Sequence, residues 1–235
     1  MFKWSDESIL WYLAASEWTG YHALLAKEAS EFLKPGDEVC DVGCGPGCLA
    51  VELAPLVRRV TAVDVDERVL QCIRERSAER GIDNVSPVLS DYADLPENCC
   101  DVVVACSFGV MEKNAYEFMR LARRRMIVIK RKDPPVEEGF TTAYGRRYKS
   151  FDDEKYLDEH QISYRLYTFD GDFGQPLHDR EEAFRFLDYY ALNGEESADD
   201  FLARCEITDP ESAYRYYIPN KKEVHMLITE KVDLM

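Results

Sequence analysis

Three glycines, each separated from the next by one residue, stand between a predicted strand and a predicted helix. The apolar run 38–42 reads as a buried strand, helical composition resumes at Leu49, and Gly43, Gly45 and Gly47 fill the junction. Glycine lets the backbone approach a ligand closely. Helix N-terminal N–H groups are unpaired and open on the crevice at the carboxyl ends of parallel strands. The chemistry that this pattern predicts is the binding of a small ligand against bare backbone.

The glycine spacing argues against two familiar nucleotide-binding loops. A dinucleotide fingerprint has two residues before its third glycine, whereas this chain carries Cys48 where that glycine would stand. An NAD-dependent oxidoreductase is therefore disfavoured. A phosphate loop would continue with Gly-Lys and a serine or threonine, and no such continuation follows Gly47.

A second acidic residue closes the next predicted strand. Residues 60–64 form a short β-branched run that ends in Asp64, 17 residues after Gly47. Near this offset, α/β folds of this type pair a carboxylate with ribose hydroxyls. Asp64 would otherwise cap the helix predicted over 67–80, but Asp66 is better placed for that role. We therefore expect Asp64 to bind a ribose.

The segment DVGCGPG, Asp41 to Gly47, resembles the acidic-x-G-x-G-x-G loop of class I S-adenosylmethionine (SAM)-dependent methyltransferases. The resemblance covers residues 38–132. It implies a Rossmann-like α/β fold with a mostly parallel seven-stranded sheet and an antiparallel final strand, with SAM as cofactor and methyl transfer as activity. The cofactor-binding residues that we carry over from it are Asp41, Gly43, Cys44, Gly45, Gly47, Asp64, Val65, Asp91, Tyr92, Cys106 and Phe108.

Two further strand ends bear on the ligand and the acceptor. Asp91 and Tyr92 follow the strand predicted over 85–89, and the resemblance assigns them to the adenine amino group and ring; a turn-forming aspartate is the alternative. The strand predicted over 101–106 is the fourth. In methyltransferases that act on the exocyclic amines of nucleic acid bases or on glutamine, the residues after this strand resemble the motif (D/N)-P-P-(Y/F). The residues Ser107-Phe108-Gly109 do not match that motif, which counts against N-methylation of nucleic acid.

The chain is interpreted as one methyltransferase domain with four parts. These are an N-terminal helical segment (1–37), a cofactor-binding core (38–133), a substrate cover with the sixth strand (134–222) and the last strand (223–235). The first part is rich in aromatic residues and ends at Pro35-Gly36. In the family that the chain resembles, such a segment often packs over the cofactor crevice, where aromatic rings shield the sulfonium. Ordinary core packing is the alternative.

The substrate cover lies between strands predicted over 162–169 and 223–231. Its predicted helices, 179–192 and 198–205, would return over the strand ends, and Asp179 with Glu182 suggests a capping box. We expect the acceptor to be a small molecule, bound by Tyr21, Tyr189 and Tyr190. Because SAM carries its own leaving group, the protein mainly positions the acceptor. A base is useful for a phenol or alcohol, and the candidates are His22, His160 and His178.

Composition limits the remaining possibilities. The 235 residues carry a net charge of −16, which argues against nucleic acid as a partner, although residues 120–149 hold ten basic and three acidic residues. That basic run indicates either a salt-bridged or solvated face, or a nucleic acid or anionic substrate. No apolar run is long enough to span a membrane and the N-terminus lacks a signal-peptide core, so we expect a cytoplasmic protein without membrane association. The oligomeric state is not predicted.

The eight cysteines raise the question of a metal site. Cys40, Cys44 and Cys48 repeat at every fourth residue, but no C-x₂-C pair occurs and the three straddle a strand, a loop and a helix start. We therefore expect free thiols that fill apolar space, with no metal. Because no acid or base is evident from sequence, a SAM-binding regulator or partner subunit without methyl transfer remains the alternative function.

Overall fold

The computed structural model describes residues 2–132, 153–190 and 197–231. Its helices are α1 (Asp6–Thr19), α2 (Tyr21–Ala29), α3 (Cys48–Leu53), α4 (Glu67–Glu79), α5 (Met111–Leu121), α6 (Asp153–Glu159), α7 (Arg180–Tyr189) and α8 (Ala198–Arg204). Its strands are β1 (Glu38–Val42), β2 (Arg59–Asp64), β3 (Val85–Leu89), β4 (Cys100–Cys106), β5 (Ala122–Arg131), β6 (Arg165–Asp172), β7 (Gln175–Leu177), β8 (Tyr216–Ile218) and β9 (Lys221–Glu230).

Among the described residues, seven strands form one sheet in the order β3-β2-β1-β4-β5-β9-β6. The first five in this order pair in parallel, and β9 runs antiparallel to both β5 and β6. This confirms the predicted Rossmann-like sheet with its antiparallel final strand. The chain leaves β1 toward β2 on one side and returns to β4 on the other. A crevice therefore opens at the carboxyl ends of β1 and β4, where ligands bind in such folds.

Apolar side chains cover both faces of the sheet. One cluster joins α2, α3 and α4 to the strands, with Leu25, Leu53 and Ile73 fully buried. The other joins α5 and α6 to the opposite face, around Phe118 and Leu157. Residues 102–105 of β4 are all inaccessible to solvent. A strand that is buried on both faces in this way has a continuous apolar sequence.

Helix α4 begins and ends close to the residues that the sequence predicted. The Asp66 side chain accepts a hydrogen bond from the backbone N–H of Arg68 at 3.0 Å and so caps the helix. Gly81 follows its C-terminus with a left-handed φ of +64°. Because Asp66 serves as the cap, the carboxylate of Asp64 is left at the crevice.

The N-terminal helical segment contains two α-helices. Gly20, with a φ of +64°, ends α1 and precedes α2, so the two helices lie on different sides of a turn. Helix α2 packs on the main sheet through Tyr21 and Leu25, whereas Trp11 of α1 belongs to a third apolar cluster. The aromatic residues of the N-terminal segment are thereby divided between two parts of the molecule.

That third cluster joins a small second sheet to α7 and α8. Strands β7 and β8 pair antiparallel, and their residues Leu177 and Tyr216 are buried with Trp11. The sequence predicted both helices of this region but not the strand pair, because three-residue strands, one of them containing Pro176, give no periodic pattern. Asp179 does cap α7 by accepting from Glu182 N at 2.8 Å. The last positions of the predicted helix, 191 and 192, lie outside the described residues.

The sixth and the last strand differ from their predicted bounds. The sixth strand runs from Arg165 to Asp172 and therefore starts and ends three residues later than expected from the apolar run 162–169. The last strand begins at Lys221, two residues before the predicted 223, and its first residues are charged. Their charge hides them from an apolar pattern, although Lys222 pairs with Gly171 in the sheet.

Candidate active site

The glycine loop after β1 is fixed against β2. The backbone N–H groups of Gly43 and Cys44 both donate to the carbonyl of Val63, at 2.9 and 3.1 Å. Gly43, Gly45 and Gly47 all have positive φ values, of +66°, +52° and +72°. A Cβ on Gly43 would lie 2.3 Å from the ring of Phe108, so the absence of a side chain lets the end of β4 close on the loop.

Asp64 lies directly against this loop. One carboxylate oxygen, Oδ2, accepts from Gly45 N at 2.9 Å, and the other, Oδ1, accepts from Asp66 N at 3.0 Å. Each oxygen retains a free lone-pair direction, since a carboxylate has about four acceptor sites. Asp64 and Val65 line a cavity of about 380 Å³ whose opposite wall is formed by residues 2–4.

Trp4 forms the part of that wall closest to the glycines. A Cβ on Gly45 would lie 2.9 Å from Cζ2 of its indole. The Arg68 guanidinium donates to the Trp4 carbonyl at 2.7 Å and holds the segment in place. The indole also meets the ring of Tyr12 edge-on, with centroids 5.3 Å apart. Trp4 thus packs over the loop.

Asp41, at the end of β1, is buried and incompletely hydrogen-bonded. Within the described part of the chain, its Oδ2 has no hydrogen-bond partner and no access to solvent. Burial and, to a smaller extent, the neighbouring negative charge of Asp64 raise the pKa of this carboxyl to about 7. A buried acceptor without a donor is costly, so Asp41 is suited to receive a donor or a positive charge from a ligand.

Aromatic rings continue from the loop along the carboxyl edge of the sheet. The ring of Phe173, just after β6, lies 5.1 Å from that of Tyr12 and 5.0 Å from that of Tyr21. Tyr21 comes this close because Gly171 has no side chain: a Cβ there would lie 2.8 Å from the tyrosine ring. The half-buried ammonium of Lys222 lies 4.8 Å from the Phe173 centroid.

Comparison with known proteins shows which kind of domain contains this glycine loop. A family model described as a methyltransferase domain matches residues 39–126. Residues 39–126 therefore form a methyltransferase domain. Two curated relatives are ribosomal protein L11 methyltransferases, from Thermotoga neapolitana (40% identical over 76 residues) and Caldicellulosiruptor bescii (38% over 91 residues). These matches cover 32% and 37% of this chain but only 28% and 30% of the relatives.

Solved structures share the fold of this chain over nearly its whole length. A SAM-dependent methyltransferase from Aquifex aeolicus superposes with a TM-score of 0.56 at 18% identity, over 98% of this chain and 100% of that one. Magnesium protoporphyrin IX methyltransferase from Synechocystis, with bound SAH (S-adenosylhomocysteine), gives 0.55 at 15% identity, over 99% and 90%. At these identities the likeness extends to the fold alone.

The residues of the methyltransferase domain fit SAM. The unpaired Asp41 Oδ2 matches the charge and hydrogen-bonding of its α-ammonium group, and Asp64 offers the carboxylate that a ribose needs. The ring of Trp4 lies beside the loop and meets the ring of Tyr12, and a sulfonium cation there would be attracted by aromatic rings. SAM is therefore the cofactor that this loop is built to hold.

The other predicted cofactor residues lie along the same edge. Tyr92 meets Phe108 edge-on at 5.5 Å, and its hydroxyl pairs with Asn114 Nδ2 at 2.5 Å. Asp91 is exposed and accepts from Ala93 N at 3.0 Å, so it also serves as the turn-forming aspartate of the alternative interpretation. The contacts of these side chains with adenine stay a prediction.

Two thiols of the methyltransferase domain were also predicted to line the cofactor. Burial raises the pKa of Cys106 to about 12, with a further contribution from Asp41, and it raises the pKa of Cys44 well above its usual range. Both thiols are therefore neutral at physiological pH and behave as small apolar groups. In the described part of the chain, no three histidine, cysteine or acidic residues are arranged to hold a metal ion.

The three histidine candidates for a base have different surroundings. His22 is buried between the Tyr12 hydroxyl, 2.9 Å from Nε2, and the Ser16 hydroxyl, 2.7 Å from Nδ1. Burial and the charge of Lys222 lower its pKa to about 3, so it stays neutral. His160 and His178 are exposed: the first stacks on Tyr156, and the second pairs with Glu182.

The predicted substrate tyrosines separate into two groups. Tyr21 lies beside Phe173 at the carboxyl edge of the sheet, among the aromatic rings that continue from the glycine loop. Tyr189 and Tyr190 instead pack on Trp11, with ring centroids 5.6 and 6.1 Å away, as part of the apolar cluster of the second sheet. Their role in acceptor binding therefore stays a prediction, and the structure does not bring them into ring contact with Tyr21.

Replacing Asp41 with asparagine is expected to remove a pH dependence from the stability. Because the folded-state pKa is about 7 against 3.8 for an ordinary Asp, the stabilisation from protonated Asp41 is complete below about pH 4 and lost as pH rises through 7. Between pH 5 and pH 8, wild type should lose about 2–3 kcal/mol more unfolding free energy than Asp41→Asn. Urea titrations at both pH values measure this, and equal losses in the two proteins would contradict it.

Proposed function

We propose that this chain transfers the methyl group of SAM to a small-molecule acceptor by in-line displacement. The observation that carries the proposal is the aromatic edge: Tyr12, Tyr21 and Phe173 continue directly from the glycine loop and its unpaired Asp41. SAM, when bound, supplies an activated methyl on a sulfonium. Asp41 and Asp64 hold its polar ends, while the three rings orient the acceptor and exclude water, which accounts for much of the rate enhancement available to such a reaction.

Among the described residues, the histidines supply no strong base beside these rings. His22 is neutral and its Nε2 is already bonded to Tyr12, whose own pKa burial raises well above the ordinary value. An acceptor with a nucleophilic atom that is free or easily deprotonated therefore suits the site better than an alcohol. This feature also keeps the alternative of a non-catalytic SAM-binding regulator in place.

A protein acceptor is the second candidate function, and it is favoured by the relatives, which are ribosomal protein L11 methyltransferases. The aligned stretch is about a third of this chain and less than a third of those relatives. In the Thermotoga neapolitana match it is only 76 residues long. Two proteins can share a stretch of that size because both bind the same cofactor, whatever their acceptors. The aromatic edge also includes Phe173, which lies outside the matched residues 39–126.

Two observations disfavour a nucleic acid acceptor. The three arginines at the start of β5 are ion-paired: Arg123 with Glu38 and Asp101, Arg124 with Asp37, and Arg125 with Glu230. The part of the basic run that the structure describes is therefore largely neutralised by the protein itself. The rest of the chain is strongly acidic, with a net charge of −16 over all residues.

We place the protein in the cytoplasm as part of this proposal. All eight cysteines are free thiols, as expected in a reducing compartment. Over the residues that are described, none of the helices has both the length and the apolar character needed to span a membrane.

A transfer assay distinguishes the candidate functions. Wild-type protein is incubated with SAM labelled at its methyl group and with three separate acceptor sets: organic acids, amines and thiols; ribosomal protein L11; and total RNA. We expect label in at least one small molecule and none in L11 or RNA. Label in L11 alone would establish the protein acceptor, and SAM binding without transfer to any set would support the regulator.

A further inference from the structure

Lys222 stands at the cofactor edge of the sheet because β9 is antiparallel. The N-terminal end of β9 lies at the edge of the sheet where the parallel strands have their carboxyl ends. There Lys222 pairs with Gly171 of β6, and Val224 pairs with Arg131 of β5. Gly171 is the residue against which Tyr21 packs. The last strand thus brings an ammonium group to the aromatic edge, more than one hundred and seventy residues after the glycine loop in sequence.

The charge of Lys222 has no counterion among the described residues. Its ammonium lies over the rings of Phe173 and Tyr21, at 4.8 and 5.7 Å from their centroids, and forms no ion pair or hydrogen bond there. Lys130, on the adjacent strand β5, and Lys132, just after it, differ in this respect, because they pair with Asp153 and Glu223. A half-buried cation that contacts only rings is available to an anionic ligand.

The nearest carboxylate on β6 is committed elsewhere. Asp172 accepts from the Tyr217 hydroxyl at 2.8 Å through Oδ2 and from Asn220 N at 2.9 Å through Oδ1. It therefore fixes the connection between the second sheet and β9. Burial, followed by the positive charge of Arg131, lowers the pKa of Lys222 to about 8, although Cys106 and Asp172 act in the opposite direction.

Contacts connect Lys222 to the glycine loop. Phe173 packs on Tyr12, Tyr12 on Trp4, and Trp4 lies against Gly45. On the strand side, the thiol of Cys106 at the end of β4 is within electrostatic reach of both Asp41 and Lys222. A small molecule whose reactive atom faces the sulfonium would therefore extend its other end toward Lys222.

We propose that Lys222 binds the carboxylate of a small organic acid whose planar or apolar body rests on Tyr21 and Phe173, and that this acid is the methyl acceptor. The proposal rests on the proposed function and names its substrate class. An ammonium over two rings supplies one positive charge and an apolar floor, which suits an aromatic or unsaturated monocarboxylate. A cationic acceptor would be repelled by the same group.

Binding to acid and amide pairs tests this assignment. Benzoate, cinnamate and indole-3-acetate, each with its primary amide, are titrated by calorimetry into protein saturated with SAH. For wild type we expect at least one acid to bind ten-fold or more tightly than its amide. Lys222→Met should remove that preference and lower the affinity for the acid at least ten-fold, while Lys222→Arg retains the preference. Lys222→Gln serves as a second neutral variant if the methionine variant does not fold.

Lys221 provides a matched control. It is the neighbouring residue on β9, exposed to solvent, and Lys221→Met makes the same change in charge. We expect it to bind acids and amides as wild type does, and all variants to bind SAH within two-fold of wild type. A preference for acids that survives in both neutral variants, or is absent from wild type for all three pairs, would overturn the inference. Failure of wild type to bind SAH would instead count against the proposed function.

Discussion

Gly47→Ala is expected to lower the free energy of unfolding by about 3 kcal/mol. Gly47 caps α3 with a φ of +72°, a conformation that costs a residue with a side chain about 1 kcal/mol. Its Cβ would lie 2.2 Å from Cγ1 of Ile73, which is fully buried in α4, and overpacking of this kind costs about 1–3 kcal/mol. Urea unfolding followed by circular dichroism measures the change.

Gly81→Ala separates the two contributions. Gly81 also has a positive φ, +64°, but a Cβ there would meet nothing within 4 Å. We expect this variant to lose only the backbone part, about 1 kcal/mol. If Gly47→Ala were no more destabilising than Gly81→Ala, the close packing of α3 on α4 at the glycine loop would be wrong.

Asp64→Ala is expected to weaken the binding of SAM and SAH by ten- to a hundred-fold. Hydrogen bonds to a charged group contribute about 1.5–3 kcal/mol, and about 1.4 kcal/mol corresponds to a factor of ten. The substitution also removes the acceptor that holds Gly45 N at 2.9 Å, so part of the loss comes from a less ordered loop. Isothermal titration calorimetry with SAH gives the affinity directly.

Two further variants divide the role of Asp64. Asp64→Asn keeps one carbonyl acceptor for a backbone N–H, and we expect an intermediate loss of affinity. Asp83→Ala, an exposed carboxylate on the loop after α4, should bind SAH as wild type does. An Asp64→Ala protein that keeps its fold and binds SAH within two-fold of wild type would remove the ribose role.

The sequence predicted those parts of the site that local pattern determines. Gly43, Gly45 and Gly47 lie in one loop with their strand and helix, and Asp64 ends the strand that pairs beside β1. Both follow from short segments whose periodicity and turn chemistry are visible in a single sequence. The same holds for the Asp66 cap of α4.

The acceptor side could not be predicted in this way. Tyr12, Phe173 and Lys222 meet only because α1 folds over the edge and β9 inserts antiparallel between β5 and β6. Nothing local marks Phe173, and Lys222 preceded the apolar run by which the last strand was recognised. The burial of His22 was foreseeable in part, since Tyr12 and Ser16 lie four residues apart on α1 and so share the helix face that meets it.

The second sheet shows the same limit. Strands β7 and β8 have three residues each and pair across about forty residues of chain, so only the tertiary packing of Trp11 and Leu177 defines them. Tyr189 and Tyr190, chosen from sequence as aromatic residues in a cover, complete that packing. Composition alone does not distinguish a tyrosine that packs a small core from one that lines an acceptor site.

A crystal structure of the protein with SAH tests the central claim most directly. The account predicts the ribose hydroxyls on the Asp64 carboxylate, the amino group of SAH on Oδ2 of Asp41, and the sulfur facing the rings of Tyr12 and Phe173. SAH bound with its ribose away from Asp64 and its amino group away from Asp41, or bound outside the glycine loop, would contradict it.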